Sequence, residues 1–99
     1  MTIQPRPSHA VDEHGMTVLP RLLARLAETV ELPVPVEEIT VETGLLGQGL
    51  GLDSIEVLSL VAAIEEEFGL TIDDADLKVV HFRTVGALAR FIGERLPRG

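Results

Sequence analysis

The chain has 99 residues, 45% of them hydrophobic, with three phenylalanines and neither Trp nor Tyr; that is enough for one domain with a thin core of Leu, Val, Ile and Ala. Sixteen Asp and Glu against eight Lys and Arg give a net charge of −8, which argues against binding nucleic acid through its phosphates, a task that needs basic surface, and suits basic protein partners. Cysteine is absent, which excludes disulfides and Cys metal sites, and with no apolar run near 18 residues and no signal-peptide pattern the expectation is a soluble, cytoplasmic chain without membrane insertion.

Residues 1–15 show no helical or strand period, and Pro5, Pro7 and Gly15 interrupt any regular element. They are expected to form a flexible tail ahead of a domain over residues 16–97. His9 and His14 have no companion cluster and read as solvated tail residues rather than metal ligands. A first helix is expected over about residues 18–32, with Thr17 as N-cap and Pro20 in the first turn, where its missing N–H costs nothing. Leu19, Leu22, Leu23, Leu26, Ala27 and Val30 recur at three and four and form its apolar stripe. Arg21, Arg25 and Glu28 fall off that stripe, and Pro33 and Pro35 end the helix.

A long connection follows over residues 33–52. Val36-Glu37-Glu38-Ile39 has room for a short turn, and Ile39, Val41, Leu45 and Leu46 are placed to pin the loop to the core. The Gly-rich piece from Gly44 to Gly51 matches neither the P-loop nor the dinucleotide-binding spacing.

Gly49 and Gly51 then let the backbone turn into the strongest periodic signal in the chain, a helix from Ser54 to about residue 68. Asp53-Ser54-Ile55-Glu56 has the spacing of a capping box, with Asp in place of Ser or Thr. Ser54 takes the first helical position, where its hydroxyl lies beside N–H groups that have no intrahelical partner. The positive end of the helix dipole favours a phosphate there, so a serine so placed suits a covalent phosphodiester. Asp-Ser also starts many helices with no further role. Val57, Leu60, Val61, Ile64 and Phe68 share the core face. Ile55, Ser59, Ala62 and Glu66 share the opposite face, flanked by Glu56 and Glu65. From Asp53 to Glu67 there are five acids and no base.

Gly69 suits the C-cap, and Leu70 and Ile72 pack inward. Asp73-Asp74-Ala75-Asp76-Leu77 is expected to open a short third helix ending near Val79 or Val80. Its aspartates read as helix N-terminal charges, because the EF-hand spacing, central Gly and closing Glu are missing. His81 reads as a loop residue. The last helix takes Thr84 as N-cap and Val85, Leu88, Ala89, Ile92 and Leu96 as its stripe, stopped by Pro97. The chain is therefore expected to be all-α, a small bundle of three longer helices plus one short helix with a long first loop. No catalytic group is identified. None of the three histidines (His9, His14, His81) sits in an acid–Ser arrangement, and Ser54 lacks the strand–turn–helix context of a nucleophile elbow. A metal site is not expected either.

Gly51-Leu52-Asp53-Ser54-Ile55, the apolar helix behind it, and Glu65-Glu66-Glu67-Phe68-Gly69 resemble the phosphopantetheine-attachment region of acyl carrier proteins. Phe82-Arg83-Thr84-Val85, with Ala87-Leu88-Ala89 behind, looks like the start of that family's last helix, and the resemblance spans about residues 18–96. It implies that Ser54 carries 4′-phosphopantetheine donated by coenzyme A, whose thiol holds an acyl or aminoacyl group as a thioester. It implies a monomeric carrier, not an enzyme, that serves a fatty-acid, polyketide or related pathway. The implied partners are a phosphopantetheinyl transferase and acyl-loading and acyl-processing enzymes with basic docking surfaces. The docking residues it carries over are Asp53, Ile55, Glu56, Ala62, Glu65 and Glu66. Three departures stand out. Gly49 occupies a position that is often acidic, which would loosen the loop before Ser54. Ser59 stands where fatty-acid carriers commonly have an acid, and the stretch between Ile72 and Thr84 is longer than theirs. The reading from another class is an unmodified acidic helical adaptor that uses the same face for protein binding alone.

Overall fold

The computed structural model describes residues 9–96, with side chains from Val18 onward. Three α-helices carry the fold: α1 over His9–Thr29, α2 over Ser54–Phe68 and α3 over Val85–Arg95. No strand occurs among the described residues; one isolated antiparallel bridge joins Gly44 to Thr84. α1 packs against both α2 and α3. Leu22 and Leu26 of α1, Leu60 and Ile64 of α2, and Leu88 and Ile92 of α3 are almost completely buried and make the centre of the core.

α1 corrects the sequence reading at both ends. It begins at His9, inside the expected tail, and runs through Gly15 and Pro20 without interruption; residues 1–8 lie outside the described residues. Pro20 is thus in the helix interior, where it removes an i→i−4 bond at a cost of about 3 kcal/mol. Val18 and Leu22, on either side of it, are wholly or almost wholly buried, so packing overrides the local penalty. The helix ends at Thr29 rather than near residue 32, with the Val30 N–H still reaching the Leu26 carbonyl at 3.1 Å. Of the expected stripe, Ala27 is exposed.

α2 has the expected limits, and Gly69 is its C-cap. Leu60, Val61, Ile64 and Phe68 are buried as the period requires, joined by Ala63, while Val57 is half-buried. The expected short third helix resolves instead into two 3-10 turns, Asp74–Asp76 and Val79–Phe82. The backbone breaks between them, since Leu77 is non-helical and Lys78 extended (φ −105°, ψ 145°). His81 belongs to the second turn and stacks on Phe91, with ring centroids 4.2 Å apart. Phe82 and Phe91, which the stripes did not include, are both buried. Asp76 pairs with Arg95 at 2.8 Å.

The long connection is pinned differently from expectation. Val36–Glu38 forms a 3-10 turn, Ile39 and Leu45 are buried and Leu46 packs half-buried against the core, but Val41 is 48% exposed, and Leu50 and Leu52 are further anchors. What Val41 contributes is its carbonyl, which accepts the Gly86 N–H at 2.8 Å; Thr43 does the same for Val85 at 2.8 Å. The loop is thereby fastened across the first turn of α3.

Candidate functional site

The path into Ser54 is set by alternation. Leu50 and Leu52 point into the core, and their N–H groups donate to the carbonyls of Gly44 (2.8 Å) and Leu45 (3.0 Å). Gly51, between them, has φ +70°, a conformation that a side chain would strain. Gly49 folds back against Gly44 so closely that a Cβ there would lie 2.1 Å from the Gly44 carbonyl oxygen. Gly49 therefore tightens the loop rather than loosening it. An acidic side chain at this position has no room.

Asp53 follows with extended backbone (φ −88°, ψ 177°), and the capping box closes in both directions. The Glu56 N–H donates to Asp53 Oδ1 at 2.7 Å, and the Asp53 N–H donates to Glu56 Oε1 at 3.0 Å. The Val57 N–H makes the first intrahelical bond, to the Asp53 carbonyl at 2.9 Å. The N–H groups that the box leaves over are those of Ser54 and Ile55. Ser54 is exposed. An exposed hydroxyl thus sits in the first turn of a 15-residue helix, next to two free donors at the positive end of the dipole. The donor set fits a phosphodiester on Ser54 Oγ.

The residues proposed for docking come together on α2 but not in one state. Ile55 is 74% exposed, and Ala62 and Ser59 are exposed. Leu58, 59% exposed, belongs with them, although the sequence reading omitted it. It lies three residues from Ile55 and four from Ala62, so the helical period alone places it on that flank. Asp53 and Glu56 are engaged in the capping box. Glu65 is half-buried and accepts the Ile72 N–H at 2.7 Å, which fixes the exit of α2. Glu66 accepts a 2.8 Å bond from Arg25, and Glu67 one of 2.8 Å from Arg21. These cross-helix pairs join residues more than forty positions apart, beyond the reach of helical spacing.

Among the described residues, no group of three His, Asp or Glu side chains is placed to hold a metal ion, and no helix is long and apolar enough to cross a membrane.

Comparison with known proteins shows the family. Residues 20–92 match the family described as phosphopantetheine attachment site. The acyl carrier protein of Thermotoga maritima is 38% identical over 66 residues, which are 67% of this chain and 78% of that protein. The acyl carrier protein of Clostridium perfringens is 38% identical over 68 residues, 69% of this chain and 86% of that protein.

Proposed function

The chain belongs to the phosphopantetheine-attachment family, whose acyl carrier members are carriers and not enzymes and bear 4′-phosphopantetheine covalently; from that premise we propose that Ser54 is the attachment point here. The observation that carries the proposal is the exposed Ser54 in the first turn of α2, beside the N–H groups that the Asp53–Glu56 box leaves over. When attached, the group supplies a thiol that holds acyl or aminoacyl intermediates as thioesters for enzymes of a fatty-acid, polyketide or related pathway.

The chain's own residues do three things. Leu50, Leu52 and the Gly49–Gly44 contact hold the loop so that Ser54 stands clear of the core. The closed capping box fixes the first turn, so the hydroxyl is presented in one backbone geometry instead of a frayed end. The Ser54 and Ile55 N–H groups and the helix dipole stabilise negative charge beside Oγ, as a phosphodiester requires. A coenzyme A-dependent transferase forms the Oγ–P bond as the pyrophosphate link of coenzyme A breaks. The hydroxyl proton and the adenosine bisphosphate then leave.

The partners are that transferase and acyl-processing enzymes. Their docking surface is the α2 face of Asp53, Ile55, Glu56, Ala62, Glu65 and Glu66, extended by Leu58. A net charge of −8 steers basic partners by long-range attraction and leaves complexes free to release quickly.

Intact mass after incubation with coenzyme A and a broad-specificity transferase tests the attachment. Wild type is expected to gain one phosphopantetheine, and Ser54→Ala none. Modification that persists in Ser54→Ala, at Ser59 for example, removes Ser54 from the role. No gain with any of several transferases leaves the unmodified adaptor as the better reading.

A further inference from the structure

The acids of α2 fall into two groups by what they do inside the molecule. At the C-terminal end three consecutive glutamates are engaged. Glu65 holds the Ile72 N–H at 2.7 Å. Glu67 takes Arg21 Nε at 2.8 Å, while the same guanidinium donates to the Glu67 carbonyl at 2.6 Å and lies 4.4 Å from the centre of the Phe68 ring. Glu66 Oε1 accepts from Arg25 at 2.8 Å. At the N-terminal end Asp53 and Glu56 accept backbone N–H groups only, and no cationic side chain among the described residues pairs with either. Two of the three charges at the far end are thus matched by arginines of α1, and neither of the two beside Ser54 is.

Glu66 differs from its neighbours. Its side chain is 77% exposed although it is paired, whereas that of Glu67 is 28% exposed. Arg25, 27% exposed, has a second carboxylate within reach, Glu28 on its own helix at 3.6 Å. If an incoming Lys or Arg takes Glu66, Arg25 keeps an anion beside it. The pair is therefore held but releasable, unlike the Arg21–Glu67 contact, which is anchored by a carbonyl and a ring as well.

We propose that Arg25 tunes docking: its guanidinium competes with partners for Glu66, so that a basic partner draws its charge attraction mainly from the Asp53–Ile55–Glu56 end and gains little from Glu66 while Arg25 holds it. The occupant is a basic protein surface, which the five acids of the α2 run and the net charge of −8 favour. The proposal rests on α2 being the docking face. An exposed ion pair is weak, so its competition with a partner amounts to about twofold to fivefold in affinity.

The experiment measures binding of the Ser54→Ala chain to a basic phosphopantetheinyl transferase by calorimetry at several salt concentrations, so that it does not depend on modification. Arg25→Gln in that background is expected to tighten binding about twofold to fivefold at low salt and to steepen the salt dependence. Glu66→Gln alone is expected to change affinity by less than twofold, and the double variant is expected to lose the whole gain of Arg25→Gln. Arg25→Lys, which keeps the charge, is expected to stay within twofold of the starting chain. Tightening that survives in the Glu66→Gln background would be an effect of net charge and overturns the proposal, as does no tightening at all. Should Arg25→Gln not fold, exposed positions still decide: Glu66→Gln weakening binding as much as Glu56→Gln overturns it. If none of the chains binds, the proposal falls together with the docking face, while the mass gain at Ser54 reports separately on attachment.

Discussion

At the start of α3, Val85 and Gly86 donate to the carbonyls of Thr43 and Val41, both at 2.8 Å, and Ala87 donates to Thr84 Oγ1 at 3.0 Å. At the start of α2, only the third N–H, that of Glu56, finds a side-chain acceptor, in Asp53. Both helices have a good N-cap residue in extended backbone, yet one first turn is used up by the fold and the other is left open. The loop makes the difference. It lays the carbonyls of residues 41 and 43 across α3, and then, turned by Gly49 against Gly44, delivers an exposed Ser54 to α2 with none of the described residues laid over it. A capped helix start is therefore not by itself a site. The start proposed as one here is that of α2, where the fold leaves donors over and exposes a hydroxyl beside them.

The largest effect on this contrast should come from the loop itself. Gly49→Ala places a Cβ 2.1 Å from the Gly44 oxygen, and since both atoms belong to the backbone the loop has to shift, at about 1–3 kcal/mol. Gly44 is bridged to Thr84, so both first turns should loosen. The checks are a lower melting temperature and faster hydrogen exchange at the Val85 and Gly86 amides. Wild-type exchange at those amides in Gly49→Ala would mean that the loop does not connect the two helix starts.

A smaller effect is expected at the closed end. Thr84→Ala removes one of the three acceptors at α3 and should cost about 0.5–2 kcal/mol. The rate of Ser54 modification, measured well below melting, should stay at the wild-type value, because the role of Thr84 is structural. A slowed modification rate in a folded Thr84→Ala chain would break the distinction between the two termini.

How far these features could be read in advance follows their range along the chain. The Asp53–Glu56 box, the Thr84 cap and the Gly69 C-cap each lie within four residues, and local hydrogen bonding decides them, so the sequence sufficed. The stripes of α2 and α3 were legible from the helical period, apart from Ala63 and Phe91, which are buried as well. The carbonyl caps from Val41 and Thr43, some forty residues from α3, had no local signature. Neither had the Arg21 and Arg25 pairs. The passage of α1 through Gly15 and Pro20 went against propensity and was decided by burial of Val18 and Leu22. The helix expected after Asp73 failed where Leu77 and Lys78 leave helical geometry, a break that nothing in Asp-Leu-Lys-Val announces. The capped and exposed setting of Ser54, the proposed attachment point, was legible because it is local, whereas the division of the α2 acids into paired and unpaired groups depends on a second helix.

The smallest expected effect separates charge from capping at the open end. Asp53→Asn keeps an N-cap oxygen for the Glu56 N–H, since Asn caps about as well as Asp, so stability should stay within about 0.5 kcal/mol. It removes one of the two unpaired charges beside Ser54. Modification by a basic transferase should therefore slow by a few-fold at low salt through the association rate. The difference should shrink as salt rises, because the screening length falls to about 8 Å at physiological ionic strength and about 3 Å at 1 M. Asp53→Ala removes cap and charge together. It should lose about 0.5–2 kcal/mol of stability in addition, and its salt-independent residue of slowing then reports how much an ordered first turn matters to presenting Ser54. The control is Glu31→Gln, which changes the net charge by the same unit at an exposed site off α2. If Glu31→Gln slows modification as much as Asp53→Asn does, the transferase senses only the total charge of the chain. The open end of α2 would then present Ser54 without also steering its partner.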